Sequence, residues 1–219
     1  MQPHDAAELQ QRLATLAERI PLLLSPAQSE LLVRYIALLQ RWNSTYNLTS
    51  VREPAQMLSQ HLVDCLAVIP PLRHYYEGRA LRVLDVGSGG GLPGVVIAVL
   101  DPHITVTCVD SVGKKASFVQ QVAAELGLSN LQARHARVEQ LRAAPFEVIA
   151  SRAFASLSDL VRLTRPHLAP GGAWMAMKGK HPDAELSALP NDIDVFHVEQ
   201  LDVPELGAER CLVWMRPSL

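Results

Sequence analysis

The stretch that decides the fold is Leu84-Asp85-Val86-Gly87-Ser88-Gly89-Gly90-Gly91-Leu92-Pro93-Gly94, which follows a short apolar run and precedes a helical pattern. Glycines in a strand-to-helix turn allow positive φ angles and let a ligand approach the backbone closely. The stretch therefore predicts a ligand-binding turn at the end of a strand.

Two patterns fit this turn. Gly89, Gly91 and Gly94 match GxGxxG, the pyrophosphate-binding pattern of dinucleotide folds. A turn that begins at Gly89 leaves Asp85 and Gly87 unexplained, and a proline near the helix start removes a backbone N–H that a phosphate would use. The stretch also matches DxGxGxG, and a carboxylate attracts a cationic ligand but repels a pyrophosphate. We therefore favour S-adenosylmethionine as the cofactor and expect Asp85 to meet its ammonium group, directly or through water.

Strand and helix patterns alternate around this turn. The strand candidates are LRVLDV (81–86), ITVTCVD (104–110), LQARH (131–135), FEVIA (146–150) and GGAWMAMK (171–178), with two more around Asp194–Val198 and Cys211–Met215. Strands that alternate with helices form parallel sheets with right-handed crossovers. We expect an α/β fold with a Rossmann-like, mostly parallel, seven-stranded sheet of the methyltransferase type.

Two further positions suit a nucleoside ligand. Asp110 ends the second strand candidate, 23 residues after Gly87, where an acid accepts hydrogen bonds from ribose hydroxyls. It also suits the N-cap of the following helix. Val138-Glu139 follows the third strand candidate and is placed to bracket an adenine ring, although this pair also suits the first turn of a helix.

The segment before residue 81 is predicted to be helical. Asp5 and Glu8 have capping-box spacing, and Ser25, Pro26 and Gln28 mark the start of a second helix. We interpret residues 1–80 as a helical extension packed on a methyltransferase domain of residues 81–219, the two forming one structural unit.

A polar loop and a further helix are expected between the second helix and the sheet. Asn43, Tyr46 and Asn47 are expected in the loop, where they would either fold over the site, shape an RNA contact, or cap a helix and form turns. A helix is expected over residues 57–66, with Pro70-Pro71 ending it.

Composition sets limits on location and partners. The chain has 219 residues, of which 48% are hydrophobic, and a formal net charge of −2, so any RNA contact must come from local basic patches. The three cysteines are far apart, and the N-terminus has no signal-peptide pattern. We expect a cytoplasmic protein, most simply a monomer, with no bound metal and no membrane segment.

The motifs together resemble those of the bacterial small-subunit rRNA guanine-N7 methyltransferases, the GidB family. The resemblance runs from about residue 38 almost to the C-terminus. Its motifs are Trp42-Asn43 with Tyr46-Asn47-Leu48-Thr49, His61 with Asp64, Leu84–Gly94, Asp110-Ser111 with Lys114-Lys115, Arg137-Val138-Glu139, Ser151-Arg152-Ala153-Phe154-Ala155 and Lys178-Gly179.

The resemblance implies an enzyme that methylates N7 of a guanine in 16S rRNA, free or in the small ribosomal subunit. It implies S-adenosylmethionine contacts at Gly87, Leu92, Val138, Glu139 and Arg152, to which the physical argument adds Gly89 and Asp110. Guanine N7 carries an exposed lone pair, so no general base is needed, and we assign no catalytic residue.

Three basic residues are candidates for holding the RNA. Arg152 follows the fourth strand candidate, Lys178 ends the fifth, and Lys180 comes two residues later. We expect them to hold phosphate or guanine O6, although surface cations are often simply solvated. Two other functions stay open from sequence, namely a methyltransferase for a small metabolite and a scaffold that has lost the cofactor.

Overall fold

The structure, a computed structural model, describes residues 3–152, 154 and 156–218. The α-helices are α1 (Pro3–Glu18), α2 (Pro26–Tyr46), α3 (Pro54–Met57), α4 (Asp64–Leu66), α5 (Ile69–Tyr76), α6 (Gly94–Leu100), α7 (Gly113–Leu126), α8 (Leu157–Thr164) and α9 (Asp183–Ser187). The strands are β1 (Leu81–Val86), β2 (Ile104–Asp110), β3 (Leu131–His135), β4 (Phe146–Ser151), β5 (Leu168–Lys178), β6 (Ile193–Leu201) and β7 (Arg210–Pro217). A π-helix (Leu58–Val63) joins α3 to α4, and 3₁₀ turns cover Val138–Gln140 and Arg165–His167.

The seven strands form one sheet in the order β3-β2-β1-β4-β5-β7-β6. Strands β1 to β5 pair in parallel, and β7 runs antiparallel to both of its neighbours. The expected mostly parallel, seven-stranded Rossmann-like sheet is confirmed. Chain order reverses between β1 and β4, which leaves a crevice at their carboxyl ends.

The second helix begins as the sequence predicts. The Ser25 side chain accepts a hydrogen bond from the backbone N–H of Gln28, and the Gln28 side chain accepts one from the backbone N–H of Ser25. Reciprocal bonds of this kind satisfy amides that have no partner within the helix. The helix then continues further than expected, to Tyr46, and Asn47 ends it with a φ of +48°.

The expected polar loop is therefore wrong at Asn43 and Tyr46, which lie inside α2. Asn43 is buried, and its side chain donates to the Val51 carbonyl at 3.0 Å and accepts from the Thr49 amide at 2.9 Å. These bonds fix the connection that follows the helix. The interpretation of Asn47 as a helix cap is confirmed.

Two other local expectations are corrected. Helix α1 begins at Pro3, so Asp5 lies within its first turn rather than at its N-cap. Pro70 and Pro71 lie in the first turn of α5 rather than ending a helix, because proline lacks only an N–H that has no partner at that position.

The N-terminal helices share one hydrophobic core with the sheet. Leu13 of α1 and Leu32 of α2 are fully buried in the same cluster as Val83 of β1 and Val106 of β2. No helix of the described residues is both long and apolar enough to cross a membrane.

We predict that Leu13→Ala lowers the free energy of unfolding by about 2–5 kcal/mol, because it leaves a cavity in a core that both parts of the chain share. Denaturant unfolding followed by fluorescence and by circular dichroism should show one shifted transition. Leu23→Ala is the control, since Leu23 is 87% exposed. Two separate transitions would show that residues 1–80 fold independently of the sheet.

Candidate active site at the carboxyl edge of the sheet

The candidate site lies where the strand order reverses. The glycine turn follows β1, and Arg152 follows β4, the neighbouring strand on the other side of the reversal. Ligands of open α/β sheets bind at this position because no crossover connection covers it. The two sequence signals, far apart in the chain, therefore meet at one crevice.

The glycine turn has the backbone conformation that requires glycine. The φ angles of Gly87, Gly89 and Gly91 are +66°, +57° and +86°, a region that side-chain-bearing residues rarely adopt. The amides of Gly87 and Ser88 donate to one carbonyl, that of Val109 in β2, at 2.9 and 3.2 Å. The turn is thus anchored to the second strand.

Asp85 and Gly94 decide between the two patterns. The buried Asp85 carboxylate accepts a hydrogen bond from the Gly94 amide at 2.8 Å, at the first residue of α6. A Cβ at Gly94 would lie 2.5 Å from the Cys108 sulfur. Gly94 is therefore needed for packing, and its amide is already bonded to the Asp85 carboxyl group. This arrangement disfavours a pyrophosphate and supports DxGxGxG.

Asp85 differs from its expected role in one respect. Its carboxylate lies under the turn and is not among the side chains that line the cavity beside it. Burial raises the pKa of Asp85 to about 7, because the charged form loses its hydration. Its Oδ1 atom is buried and has no hydrogen-bond partner among the described residues. A buried acceptor without a partner fits a donor such as an ammonium group or a water.

Asp110 links the glycine turn to the start of α7. Its Oδ2 accepts from the Gly89 amide and its Oδ1 from the Val112 amide, both at 2.9 Å. Each carboxylate oxygen retains a second lone pair, so the side chain is still able to accept from a hydroxyl. Asp110 thus holds the glycine turn in shape, and its expected ribose contact stays a prediction.

A cavity beside the glycine turn is lined by both parts of the chain. Four of the expected cofactor residues line it: Gly87, Gly89, Leu92 and Arg152. The other lining residues are Ser88, Gly90 and Lys115 from the sheet domain and Tyr35, Leu39, Leu48, Thr49 and His61 from the segment before the sheet. None of these eight other lining residues was expected from the sequence to contact the cofactor.

Val138 and Glu139 do not line this cavity. They form the 3₁₀ turn that follows β3 at the same edge of the sheet. Val138 is buried, its carbonyl lies 2.7 Å from the His167 ring, and Glu139 is exposed. Their adenine contact stays a prediction, to which the edge position is suited.

His61 is held as a neutral side chain at the wall of the cavity. Its Nε2 lies 2.9 Å from the Thr49 hydroxyl, and its Nδ1 lies 3.1 Å from the Gln60 carbonyl. Burial, together with the nearby Arg152 guanidinium, lowers the pKa of His61 to about 4. His61 belongs to the π-helix, a rare element that is often found at functional sites.

A second cavity of about 470 Å³ adjoins the first and shares His61 and Arg152 with it. Its other lining residues are Ser50, Val51, Gln60, Asp64, Met177, Lys178, Gly179, Leu206, Ala208 and Arg210. The volume falls within the range of roughly 300–1,000 Å³ that is typical of small-ligand sites. Arg210 is a cation that the sequence analysis missed.

The three expected RNA residues have different surroundings, and of these Arg152 lines both cavities. Lys178 lines the second cavity, but its ammonium is 2.7 Å from Glu185, and its side chain is only 14% exposed. Glu185 also accepts the Leu157 amide at 2.7 Å, so Lys178 ties β5 to α8 and α9. Lys180 is exposed outside the cavity. Ala153 and Ala155 of the Ser151–Ala155 motif lie outside the described residues.

A larger cavity, of about 630 Å³, lies beside β6 and β7 and shares no lining residue with the two at the crevice. Its wall includes the stacked rings of Tyr75 and Trp214, 4.7 Å apart. None of the cofactor or RNA residues predicted from the sequence lines it. Within the described part of the chain, no three His, Cys, Asp or Glu side chains are grouped to hold a metal ion.

We predict that Asp85→Asn makes the stability of the ligand-free protein less dependent on pH. Because the pKa of Asp85 is raised from 3.8 to about 7, the folded state retains a proton that the unfolded state loses, and stability falls as pH rises between those values. Chemical denaturation at pH 5 and pH 8 should show a difference smaller by roughly 1–3 kcal/mol in the variant. The exposed acid Asp202 supplies the control, Asp202→Asn. Equal pH dependence in wild type and Asp85→Asn would contradict the raised pKa.

Comparisons with known proteins agree with this geometry. The family described as GidB, rRNA small subunit methyltransferase G, matches residues 28–213. Ribosomal RNA small subunit methyltransferase G of Leptothrix cholodnii is 66% identical and covers 89% of each chain. The protein of the same name from Methylibium petroleiphilum is 58% identical over 97% of this chain and 96% of its own.

Solved structures of low sequence identity share the fold. The 1,6-didemethyltoxoflavin-N1-methyltransferase of Burkholderia thailandensis, solved with bound S-adenosylhomocysteine, has a TM-score of 0.58 at 17% identity, over 85% of this chain and 90% of its own. TrmN from Thermus thermophilus has a TM-score of 0.57 at 20% identity, over 73% of this chain and 53% of its own. The sheet, its reversal point and the sequence matches lead to one assignment. This chain belongs to the GidB family of small-subunit rRNA methyltransferases.

Proposed function

We propose that this chain transfers a methyl group from S-adenosylmethionine to N7 of a guanine in 16S rRNA. The observation that carries the proposal is the pair of adjoining cavities at the reversal point, one beside the glycine turn and one lined by arginines, which meet at Arg152 and His61. The close relatives are named as methyltransferases of small-subunit ribosomal RNA.

The first cavity, of about 190 Å³, is suited to one part of S-adenosylmethionine, and the rest of the cofactor would extend along the carboxyl edge of the sheet. This cofactor supplies an activated methyl group: the N7 lone pair forms the new N–C bond, the C–S bond breaks, and its electron pair stays on sulfur. Gly87, Gly89 and Leu92 would lie against the cofactor, and Arg152 would pair with its carboxylate. Asp110 would accept hydrogen bonds from the ribose of the cofactor, and Val138 and Glu139 would contact its adenine ring.

The groups between the cavities are suited to positioning rather than to proton transfer. His61 is neutral at physiological pH, and both ring nitrogens are already within hydrogen-bond distance of protein oxygens. Asp64 is buried in ion pairs with Arg152 and Arg210. Because guanine N7 loses no proton, alignment and exclusion of water are enough for the reaction. This chemistry fits better than methylation of a group that must first be deprotonated.

The carboxyl edge also carries the positive charge that an RNA ligand needs, despite the net charge of −2. Five cations near this edge form no ion pair or side-chain hydrogen bond with any described residue. They are Arg52, Lys114, Lys115, Arg137 and Lys180. Elsewhere, Arg12, Arg73 and Arg216 are each paired with an acid, whereas Arg19 and Arg142 have no such partner among the described residues. Unpaired cations are available to phosphates, and we propose this group as the RNA-binding edge.

The proposal is tested by incubating the protein with labelled S-adenosylmethionine and one of three substrates: small ribosomal subunits from cells that lack this chain, naked 16S rRNA, or a metabolite extract. We expect label in rRNA, and 7-methylguanosine after digestion to nucleosides. Label confined to the metabolite extract would instead favour the small-molecule alternative. Absence of both label and cofactor binding would contradict the enzyme assignment.

We predict that the double substitution Lys114→Ala/Arg137→Ala weakens RNA binding and lowers the slope of log affinity against log salt by about 2, one unit for each lost phosphate contact. Fluorescence titration of an rRNA fragment over a series of salt concentrations measures the slope. Arg216→Ala is the matched control, because it removes a cation that is paired with Asp194 near the opposite edge of the sheet. An unchanged slope in the double variant would contradict the proposed RNA-binding edge.

A further inference from the structure

Asp64 is a buried acid that the proposed reaction does not itself use. It begins α4, directly after the π-helix, and its side chain is 1% exposed. Its Oδ1 accepts a hydrogen bond from Arg210 Nε at 2.6 Å. Its Oδ2 lies 3.7 Å from Arg152 Nη1 and has no hydrogen bond within the described residues. One carboxylate therefore lies between two guanidinium groups.

The two arginines belong to different parts of the site. Arg152 lines both cavities, whereas Arg210 lines only the second. Arg152 follows β4, and Arg210 begins β7. Because the two residues lie on different strands, the backbone alone does not fix the position of one guanidinium group relative to the other. Asp64, from a third segment, is the group that both of them contact. Its contacts thus span the boundary between the two cavities.

The surroundings of Asp64 differ from those of a purely structural buried acid. Asp101 is also buried, and it accepts from Arg73 and Tyr76 without lining either cavity at the crevice. Arg210 keeps its Nη2 group without a hydrogen bond among the described residues, and the one side-chain hydrogen bond of Arg152 with a described residue is a weak one, at 4.0 Å, to the Cys65 sulfur. Both arginines thus retain donors for a ligand.

We infer that Asp64 is a positioning residue that fixes the Arg152 and Arg210 guanidinium groups relative to each other across the two cavities. Arg152 then faces the methyl donor, and Arg210 receives a phosphate or the O6 atom of the target guanosine in the second cavity. The inference rests on the proposed function, because it assigns the second cavity to the target nucleotide. The N–H donors of the free Arg210 Nη2 group suit phosphate and guanine O6.

The charge of Asp64 allows positioning to be separated from simple attraction. Asp64, Arg152 and Arg210 together carry one positive charge, and Lys178 in the same cavity is neutralised by Glu185. Replacing Asp64 with asparagine adds one positive unit to the cavity, which by itself strengthens the attraction of RNA. Misplacement of the two arginines instead lowers the rate of methyl transfer. The added charge is thus expected to favour RNA binding, whereas the lost positioning is expected to lower kcat.

The test compares Asp64→Asn with Asp194→Asn, which removes an exposed acid that is paired with Arg216. Methyl transfer to small ribosomal subunits that lack the modification gives kcat and KM, and calorimetry gives the affinity for S-adenosylmethionine. For Asp64→Asn we expect kcat to fall about 10–100-fold with no rise in the KM for subunits, as expected when reacting groups are misaligned. Asp194→Asn should match the wild type.

Arg210→Lys keeps the inference testable if Asp64→Asn does not fold, because the Arg210 side chain is partly exposed. It retains the charge but loses the Nε donor that Asp64 holds, and we expect a similar fall in kcat. In the combined variant Asp64→Asn/Arg210→Lys, the fall in kcat should be no larger than that of the more severe single variant, because both substitutions remove the same contact.

Three outcomes would overturn the inference: kcat per folded molecule within about twofold of wild type in Asp64→Asn or in Arg210→Lys, losses that multiply in the combined variant, or a higher KM for subunits with unchanged kcat. Wild-type protein that methylates no rRNA would instead contradict the proposed function itself.

Discussion

The site depends on one topological constraint, the reversal of strand order between β1 and β4. Parallel strands need crossover connections, and at the reversal these leave toward opposite sides of the sheet, so the carboxyl ends of β1 and β4 stay uncovered. The glycine turn and Arg152 extend from these two ends. Their proximity is therefore set by the fold rather than by any direct bond between them, and the remaining contacts refine a crevice that the topology already creates.

The segment before the sheet completes this crevice. The Tyr35 hydroxyl donates to the Gly90 carbonyl at 2.9 Å, which joins α2 to the glycine turn. Thr49 and His61 join the connection after α2 to the π-helix on the same side. One wall of the cavity beside the glycine turn thus comes from the helical segment and the other from the sheet. The helices therefore shape the proposed cofactor site as well as burying apolar surface.

The sequence predicts the sheet well because its signals are local. Apolar runs mark each strand, and the spacing of Asp85, Gly87, Gly89 and Asp110 predicts a glycine turn at the end of β1, which the structure contains. It does not show that Asp85 points under the turn, because that orientation depends on packing against Cys108 and Gly94.

The arginine cluster escapes prediction for another reason. Asp64 and Arg210 are 146 residues apart, and nothing in the local pattern links them. Lys178 has the right position at the end of β5 but is already paired with Glu185, a partner that only the three-dimensional arrangement reveals. Tertiary pairing of this kind decides which cations remain free to bind a ligand.

The Glu185 carboxylate has a consequence for how this sequence is able to change. It bonds both the Lys178 ammonium and the amide at the start of α8, so it links the carboxyl end of β5 to the helix that follows the segment carrying Arg152. Loss of the acid alone would leave a mostly buried lysine without its counter-ion, and loss of the lysine alone would leave a carboxylate with only one donor. Positions 178 and 185 are thus expected to vary together among relatives. A substitution in the short helix α9 would also alter the carboxyl edge of the sheet without contacting any ligand.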